Sequence, residues 1–295
     1  MMEPVMEPMA ASMVAGVRPQ TAAGFLALFR NEITLTFRRT RTIALLGLLA
    51  ALPVLLGVVV KIQTGNLHGG PGGPAFIAQV TQNGLFLVFA AITVALPVFL
   101  PMTVGVVAGD SIAGEAATGT LRYLLVAPAG RTRLLAAKFA AAMAFCWAAT
   151  LAVALSALAT GAALFPMGGM TLLSGDTIGL GGALLRAVLI AGVVALSLAG
   201  LVAIGLFVST LTGSGIAAMA TTVGLVILVQ ILDSLPQLQA IQPWLFTDHW
   251  LTFADLLREP MYWDGVLHNL GLQALYLAVF GSAAWARLTS RDITA

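Results

Sequence analysis

The chain has 295 residues, of which 59% are hydrophobic and only 9% are charged, and its mean hydropathy is +0.99. A soluble domain carries about 25% charged residues, so this composition excludes a globule in water and indicates a protein dissolved in lipid. The net charge of +2 gives no support to a nucleic-acid partner, and the single cysteine, Cys146, excludes an intrachain disulfide or a cysteine-built metal site.

The N-terminal region predicts a tail followed by a surface helix. Residues 1–20 carry no basic cluster ahead of an apolar core, so they differ from a secretory signal. We expect a flexible cytoplasmic tail there and a single transmembrane domain over residues 21–295. Between residues 24 and 41, Phe25, Phe29, Ile33 and Phe37 recur every fourth residue among polar positions. A basic amphipathic helix next to a spanning segment usually lies in the headgroup plane, and we predict that position for this one.

The rest of the chain is dominated by apolar stretches that are long enough, at ~1.5 Å per residue, to cross a hydrocarbon core of about 30 Å. They predict six membrane-spanning helices, at about residues 42–60, 85–108, 134–164, 184–208, 216–232 and 266–285. Pro97 and Pro101 interrupt the second span. Because kinked helices commonly line cavities or gates, these prolines are candidate gate kinks; simple packing kinks are the other interpretation. The predicted fold class is an all-α polytopic membrane protein.

Residues 233–264 combine prolines with aromatic residues and differ from the spans. Residues 251–257 predict a short helix lying on the leaflet or dipping into it. Arg186 and Asp233 fall near the ends of spans, on the same side of the membrane as this segment. There they either pair with each other or are solvated separately. The aromatic side chains of the segment favour the membrane interface: Trp244, Trp250, Tyr262 and Trp263.

The basic residues orient the spans. With the N-terminus in the cytoplasm, eleven of the 14 lysine and arginine residues fall on inner segments, and only Lys61, Arg186 and Arg258 fall on outer ones. This is a strong positive-inside bias. It predicts a plasma-membrane protein with both termini in the cytoplasm. It also assigns residues 110–138, hereafter the polar interval, to the cytoplasmic side between the second and third spans.

The polar interval concentrates two carboxylates, three arginines and a lysine in a chain that is otherwise poor in charge. Thr118 or Thr120 can cap a short helix on which three leucines share one face at spacing i, i+3, i+4, and residues 127–130 end it. Thr132 can cap the following helix, and Lys138 can extend its ammonium back to the headgroups. The pattern predicts a short helix held crosswise at the membrane surface.

The sequence of the polar interval is also specific. It reads Asp110-x-Ile-Ala-Gly-Glu115-x-x-x-Gly119-Thr-Leu-Arg122-x-Leu-Leu-x-x-Pro128-x-x-Arg131-x-x-Leu-x-x-x-Lys138. This run closely resembles the signature of ABC-2 type transporter permeases, in which it joins the second and third spans. The C-terminal stretch at residues 285–293 and an amphipathic helix before the first span are also typical of that family.

The resemblance implies a dimer of this permease, or of this chain with a related one, in which each subunit sits on an ABC ATPase subunit. Residues 118–126 would form the coupling helix that docks on the ATPase, and the break at residues 209–215 would be a second, smaller contact. Glu115 and Arg122 would make polar contacts to the ATPase or to the membrane-surface helix. The resemblance assigns ATPase coupling to the following residues: Asp110, Glu115, Gly119, Thr120, Leu121, Arg122, Leu124, Leu125, Pro128, Arg131 and Lys138.

Energy for transport has to come from a partner, because no Gly-x-x-x-x-Gly-Lys-Ser/Thr phosphate loop precedes either lysine of the chain, Lys61 or Lys138. We therefore expect no catalytic residue, no metal and no cofactor in this chain, with ATP and Mg²⁺ bound on the ATPase subunit. The polar groups inside the spans are mainly hydroxyls. They suit the export of an amphiphilic or hydrophobic cargo, such as a drug, an antibiotic or a lipid-like molecule.

Two other functions stay open. An ATP-independent secondary carrier or channel is disfavoured because no charged residue falls near the middle of a span, where an ion relay would lie. A membrane-embedded lipid enzyme would have Asp248 and His249 as its least poor site. Together with His268 these residues also suggest a metal site, which their spacing in the sequence does not support.

Overall fold

A computed structural model describes residues 22–66, 75–119 and 130–290 of the protein. The expected tail at residues 1–20 and residues 120–126 of the predicted coupling helix lie outside this part. The described chain is almost entirely helical. Its α-helices are α1 Ala22–Arg38, α2 Thr40–Asn66, α3 Ala75–Gln82, α4 Phe86–Ala95, α5 Phe99–Ala117, α6 Arg131–Leu164, α7 Leu180–Ser197, α8 Ala199–Leu211, α9 Gly215–Asp233 and α10 Asp264–Ser290.

The predicted amphipathic helix and the first span are adjoining helices. A single residue, Arg39, separates α1 from α2, and α2 continues through Pro53 without a break. α1 lies against α6 and α2. The aromatic stripe of α1 is ordered by its own contacts: the rings of Phe25 and Phe29 stack at 6.3 Å, and the Phe37 ring lies 6.4 Å from that of Phe145 in α6.

The second predicted span is broken in the middle. α4 and α5 meet at an angle of 55°. Pro97 lies in the break, where its ring and its missing N–H prevent a continuous helix. Pro101 is the third residue of α5, in the first turn, where helix N–H groups have no intrahelical acceptor. Pro97 therefore coincides with the bend, whereas Pro101 fits the start of the next helix.

The length and composition of the helices confirm a polytopic membrane protein. In the described part of the chain, five helical segments are long and apolar enough to cross a membrane, and the bent pair α4–α5 brings the number to six if it is one span. α7 and α8 count as one of the five, because only Leu198 separates them. The six predicted spans each correspond to one of these segments, and all-α is the correct class.

The bundle packs through small residues as well as large ones. α6 contacts α2 and α4, α5 lies against α8 and α9, and α10 packs on α8. Ile92, Phe145 and Cys146 are fully buried. Gly84 and Gly161 bring two backbones into contact, since a Cβ on Gly161 would lie 2.2 Å from the Gly84 carbonyl oxygen. Such close approach is typical of helix packing in lipid.

Two of the connections between helices contain short secondary structure. The loop before α7 holds a small antiparallel hairpin of β1 Met170–Thr171 and β2 Thr177–Ile178, which the all-α prediction did not include. Between α9 and α10 the chain forms 3₁₀ helices at Pro236–Leu238, Gln242–Trp244 and Trp250–Leu257. The last of these confirms the predicted short helix over residues 251–257.

One of the aromatic residues of this segment does not lie where the interface pattern predicted. Trp250 is only 3% exposed, and its indole N–H donates to the carbonyl of Ser197 at 2.9 Å. It belongs to the core because that carbonyl satisfies its polar end away from water. Trp244, Tyr262 and Trp263 are exposed, as side chains of an interfacial belt are expected to be.

Candidate functional site

Six charged side chains meet at the end of the bundle that carries α1. We call them the ion-pair cluster: Glu32 of α1, Arg39 and Arg41 at the α1–α2 junction, Asp110 and Glu115 of α5, and Lys138 of α6. Their three negative and three positive formal charges cancel. The carboxylates and the lysine are all buried. Buried charges persist only when they are paired and hydrogen-bonded, so these contacts hold α1, α2, α5 and α6 together.

Lys138 is the centre of the cluster. Its ammonium donates to Glu32 Oε2 at 3.0 Å, to Glu115 Oε1 at 2.6 Å and to the Ser111 carbonyl at 3.1 Å. Three acceptors satisfy the three N–H donors of an ammonium group. The prediction that Lys138 reaches out to the headgroups is therefore wrong: it is 2% exposed. It turns inward because two carboxylates lie there to compensate its lost hydration.

Asp110 forms the second half of the cluster. Its Oδ2 accepts hydrogen bonds from the guanidinium groups of Arg39 and Arg41. Two glycines leave room for this carboxylate, since a Cβ on Gly114 would lie 2.7 Å, and one on Gly215 2.3 Å, from Asp110 Oδ1. Asp110, predicted to couple to an ATPase, thus contacts basic residues of its own chain in the structure.

The predicted second contact region, residues 209–215, packs beside Asp110. The hydroxyl of Ser209 accepts hydrogen bonds from the backbone N–H groups of Ile112 and Ala113 at 3.0 and 2.8 Å. α9 then starts after Ser214, whose side chain accepts from the backbone N–H of Ala217. The structure therefore brings the break between α8 and α9 into direct contact with the first part of the polar interval.

Two glycines with positive φ border the part of the polar interval that lies outside the described residues. Gly119 has φ +72° and Gly130 has φ +77°, a region that favours glycine. The Thr118 hydroxyl donates to the Gly114 and Glu115 carbonyls at the end of α5, and the short helix that it was predicted to cap lies outside the described residues. The remaining predicted site residues lie outside the described part: Thr120, Leu121, Arg122, Leu124, Leu125 and Pro128.

The polar interval is also fixed where α6 begins. The Arg131 guanidinium donates to the Leu288 carbonyl at 3.3 Å and to that of Thr289, which places a cation at the C-terminal end of α10. Thr132 is not the expected helix cap. α6 starts after Gly130 without a side-chain cap, and the Thr132 hydroxyl instead accepts from the indole N–H of Trp285 at 2.9 Å.

Sequence reasoning missed half of the ion-pair cluster. Arg39 and Arg41 were counted only as part of a basic helix, and Glu32 was not singled out. The sequence contains one indication that Glu32 is buried. It follows Phe29 by three residues and so lies on the apolar stripe of α1, where it is 4% exposed. An acid on the buried stripe of an amphipathic helix indicates a buried cation on another element.

At the other end of the bundle, Arg186 and Asp233 do not pair with each other, and of the two only Asp233 is partly exposed. Arg186 is 6% exposed. It pairs with Glu259 and donates to the carbonyls of Leu256 and Arg258 at 3.3 and 3.1 Å. Asp233 instead accepts from the Thr247 hydroxyl at 3.2 Å. Arg186 faces the end of the last 3₁₀ helix, where free carbonyls and a carboxylate are available.

The histidines are closer in space than their spacing suggested. The rings of His249 and His268 stack at 4.7 Å, and Asp248 Oδ2 lies 2.7 Å from His249 Nδ1. Across residues 22–66, 75–119 and 130–290, no group of three His, Cys, Asp or Glu side chains is arranged to hold a metal ion. The Asp248–His249 pair remains the contact on which a lipid-enzyme hypothesis would rest.

Two cavities bear on function. The ion-pair cluster borders a cavity of about 20 Å³, which is enough for about one water molecule. A second cavity of about 280 Å³ lies between α4, α6 and α7. Its lining is apolar throughout and includes the exposed side chains of Leu155 and Val188, so it opens to the surroundings of the bundle.

Residues 43–294 match a family model described as a protein of unknown function, DUF2705. The chain belongs to the DUF2705 family. The DUF2705 match includes the α5 and α6 members of the ion-pair cluster, whereas Glu32, Arg39 and Arg41 precede it. No curated protein matches the chain. Because the DUF2705 description carries no activity, inferences about the cluster depend on its geometry and on the sequence of the polar interval.

Proposed function

We propose that this DUF2705 protein is the membrane-spanning permease subunit of an ATP-driven ABC-2 type exporter. The observation that carries the proposal is the anchoring of the polar interval. Its first part is held by Asp110, Ser209 and Glu115, and its last part by Arg131 and Lys138, all through hydrogen bonds or ion pairs within the chain. A segment that transmits force into a bundle needs rigid attachment on both sides.

The strength of the anchoring fits that role. Breaking a buried ion pair by removing one partner costs about 3–5 kcal/mol, so movement of the polar interval would carry α1, α5 and α6 with it rather than detach from them. In the proposed complex, residues 118–126 dock on an ABC ATPase. ATP and Mg²⁺ bind that partner, and two ATPase subunits work with a dimer of permeases. The residues with proposed coupling roles are those of the polar interval.

The orientation follows from charge. The positive-inside bias of the sequence supports a plasma-membrane protein with both termini and the polar interval in the cytoplasm. α1 would then lie at the inner surface of the membrane, because it passes into α2 after a single residue. The apolar cavity between α4, α6 and α7 supports an amphiphilic or hydrophobic cargo, since it offers such a molecule contacts without polar groups to desolvate.

Docking is tested by co-purification. The permease is co-expressed with a tagged ABC ATPase of the same cell, and the Leu121→Asp, Arg122→Glu double variant is compared with the wild type. We expect the double variant to lose the complex, because it replaces an apolar contact and a cation with two acids. The control is Leu251→Asp with Arg258→Glu, which makes the same changes on exposed residues of the opposite end. A complex that survives the first change, or that is lost equally in the control, contradicts the proposal.

The other two functions predict different outcomes. Transport that follows an ion gradient and persists in ATP-free vesicles would identify a secondary carrier. A lipid enzyme acting through the Asp248–His249 pair would lose its product on His249→Ala while transport is unaffected. Under the exporter proposal, His249→Ala leaves no lipid product missing, and transport stops when ATP is removed.

A further inference from the structure

The ion-pair cluster changes the surface charge of the end of the molecule where it lies. Among the described residues, the carboxylates at this end are Glu32, Asp110 and Glu115, and they are only 4%, 6% and 7% exposed. The charged side chains that remain exposed there are arginines: Arg30 and Arg38 on α1, and Arg287 on α10. The surface is therefore cationic, although the cluster beneath it is neutral.

The arginines of α1 are arranged on one exposed stripe. Arg30, Thr34 and Arg38 follow one another at intervals of four residues, which places them on the same helix face, and Arg30, Thr34 and Arg38 are exposed. Glu32 lies on the opposite, buried face. The contact between Glu32 and Lys138, at 3.0 Å, holds α1 with that acid inward and the arginines outward.

The same helix exposes apolar side chains on and beside the arginine stripe: Leu26 lies four residues before Arg30, and Leu35 is next to Thr34. Leu26 is 62% exposed and Leu35 is 44% exposed. A helix with a cationic stripe flanked by exposed apolar side chains lies in an interface, with the apolar residues in the acyl boundary and the cations among the headgroups. Because α2 enters the membrane one residue after α1 ends, α1 stays near that boundary.

We propose that the exposed face of α1 binds the anionic phospholipids of the leaflet in which it lies, with Arg30 and Arg38 contacting the negative headgroups. The inference rests on the membrane-surface position of α1 proposed above, but not on export or on ATPase binding. Charge complementarity selects the partner: the stripe carries no acid that would repel an anionic headgroup, and a zwitterionic headgroup would bring its own cation against the arginines. Each basic residue near an anionic surface contributes about a fivefold preference.

The test uses the full-length chain without any ATPase, reconstituted in phosphatidylcholine nanodiscs. Binding of spin-labelled phosphatidylglycerol relative to spin-labelled phosphatidylcholine is measured by electron spin resonance. We expect a preference for phosphatidylglycerol that falls by about fivefold for each of the substitutions Arg30→Gln and Arg38→Gln and weakens at high salt. Both side chains are exposed, so neither substitution removes a buried contact.

The matched control is Arg258→Gln, which removes an exposed arginine from the opposite end, where it lies 3.7 Å from Asp255. It should leave the lipid preference unchanged. The proposal is overturned if Arg30→Gln with Arg38→Gln leaves the preference intact, or if Arg258→Gln lowers it equally. If the α1 double variant keeps its lipid preference but loses the ATPase in the co-purification above, the face is a protein contact. In that case the lipid inference fails while the exporter proposal stands.

Discussion

Replacing Lys138 with methionine removes the cation at the centre of the ion-pair cluster while keeping a side chain of similar length. Glu32 and Glu115, which are 4% and 7% exposed, then lose the ammonium that lies 3.0 and 2.6 Å from their oxygens. Leaving a buried charge without its partner costs about 3–5 kcal/mol. Because two carboxylates are affected, we expect a loss near the upper end of this range.

The free energy of unfolding of the purified full-length protein, measured by denaturant titration in mixed micelles, checks this value. Lys61→Met is the matched control, since Lys61 is exposed and its ammonium donates to a backbone carbonyl, that of Leu164 at 3.1 Å. Substitutions at such surface sites usually change stability by about 0.5 kcal/mol or less.

A rescue variant separates lost charge pairing from lost packing. Adding Glu32→Gln and Glu115→Gln to Lys138→Met removes both carboxylate charges that have lost the Lys138 ammonium. We expect much of the stability to return, because a neutral amide costs far less to bury than an unpaired carboxylate. The reasoning is refuted if the free energy of unfolding of Lys138→Met lies within about 1 kcal/mol of the wild-type value, or if adding the two glutamines lowers it further.

Two glycine substitutions test the close contacts, with the same unfolding measurement. Gly161→Ala should destabilise by more than about 2 kcal/mol, because its Cβ would meet the Gly84 carbonyl oxygen at 2.2 Å and a backbone atom cannot rotate away. Gly215→Ala should cost about 1–3 kcal/mol, since its Cβ would lie 2.3 Å from Asp110 Oδ1. Gly224→Ala is the control, because nothing lies within 4 Å of its Cβ; stability losses equal to the control would contradict both predictions.

The ion-pair cluster also provides a set of contacts through which the proposed coupling could be transmitted. Glu115 and Lys138 lie on the two helices from which the polar interval leaves and returns, and Glu32 extends the same contact to α1. Under the proposed function, movement of the coupling helix would therefore reach α1 through the ends of α5 and α6 that carry these residues. The inferred lipid contact of α1 would then place that movement against the headgroups.

Much of the fold follows from local sequence features. Each predicted span corresponds to a helical segment, Pro97 coincides with the break between α4 and α5, and the predicted amphipathic helix is present as α1, which contains the four-residue repeat of Phe25 and Phe29. These features are local, because helix length, apolar composition and the effect of a proline act within a few turns of the chain. The β-hairpin at Met170–Thr171 and Thr177–Ile178 is a local feature that the pattern did not reveal, since strands of two residues carry no periodicity.

The amino-acid sequence by itself determined that this is a bundle of membrane-spanning helices and where its charged interval lies. Only the tertiary structure decided which charges meet: Lys138 pairs with Glu32 across 106 residues, and Asp110 with Arg39 across 71. It also decided that Trp250 is buried against Ser197. Whether a charged or amphipathic side chain turns inward depends on partners that distant elements bring to it. The free energy of burial is therefore set by the packed bundle and not by neighbouring residues.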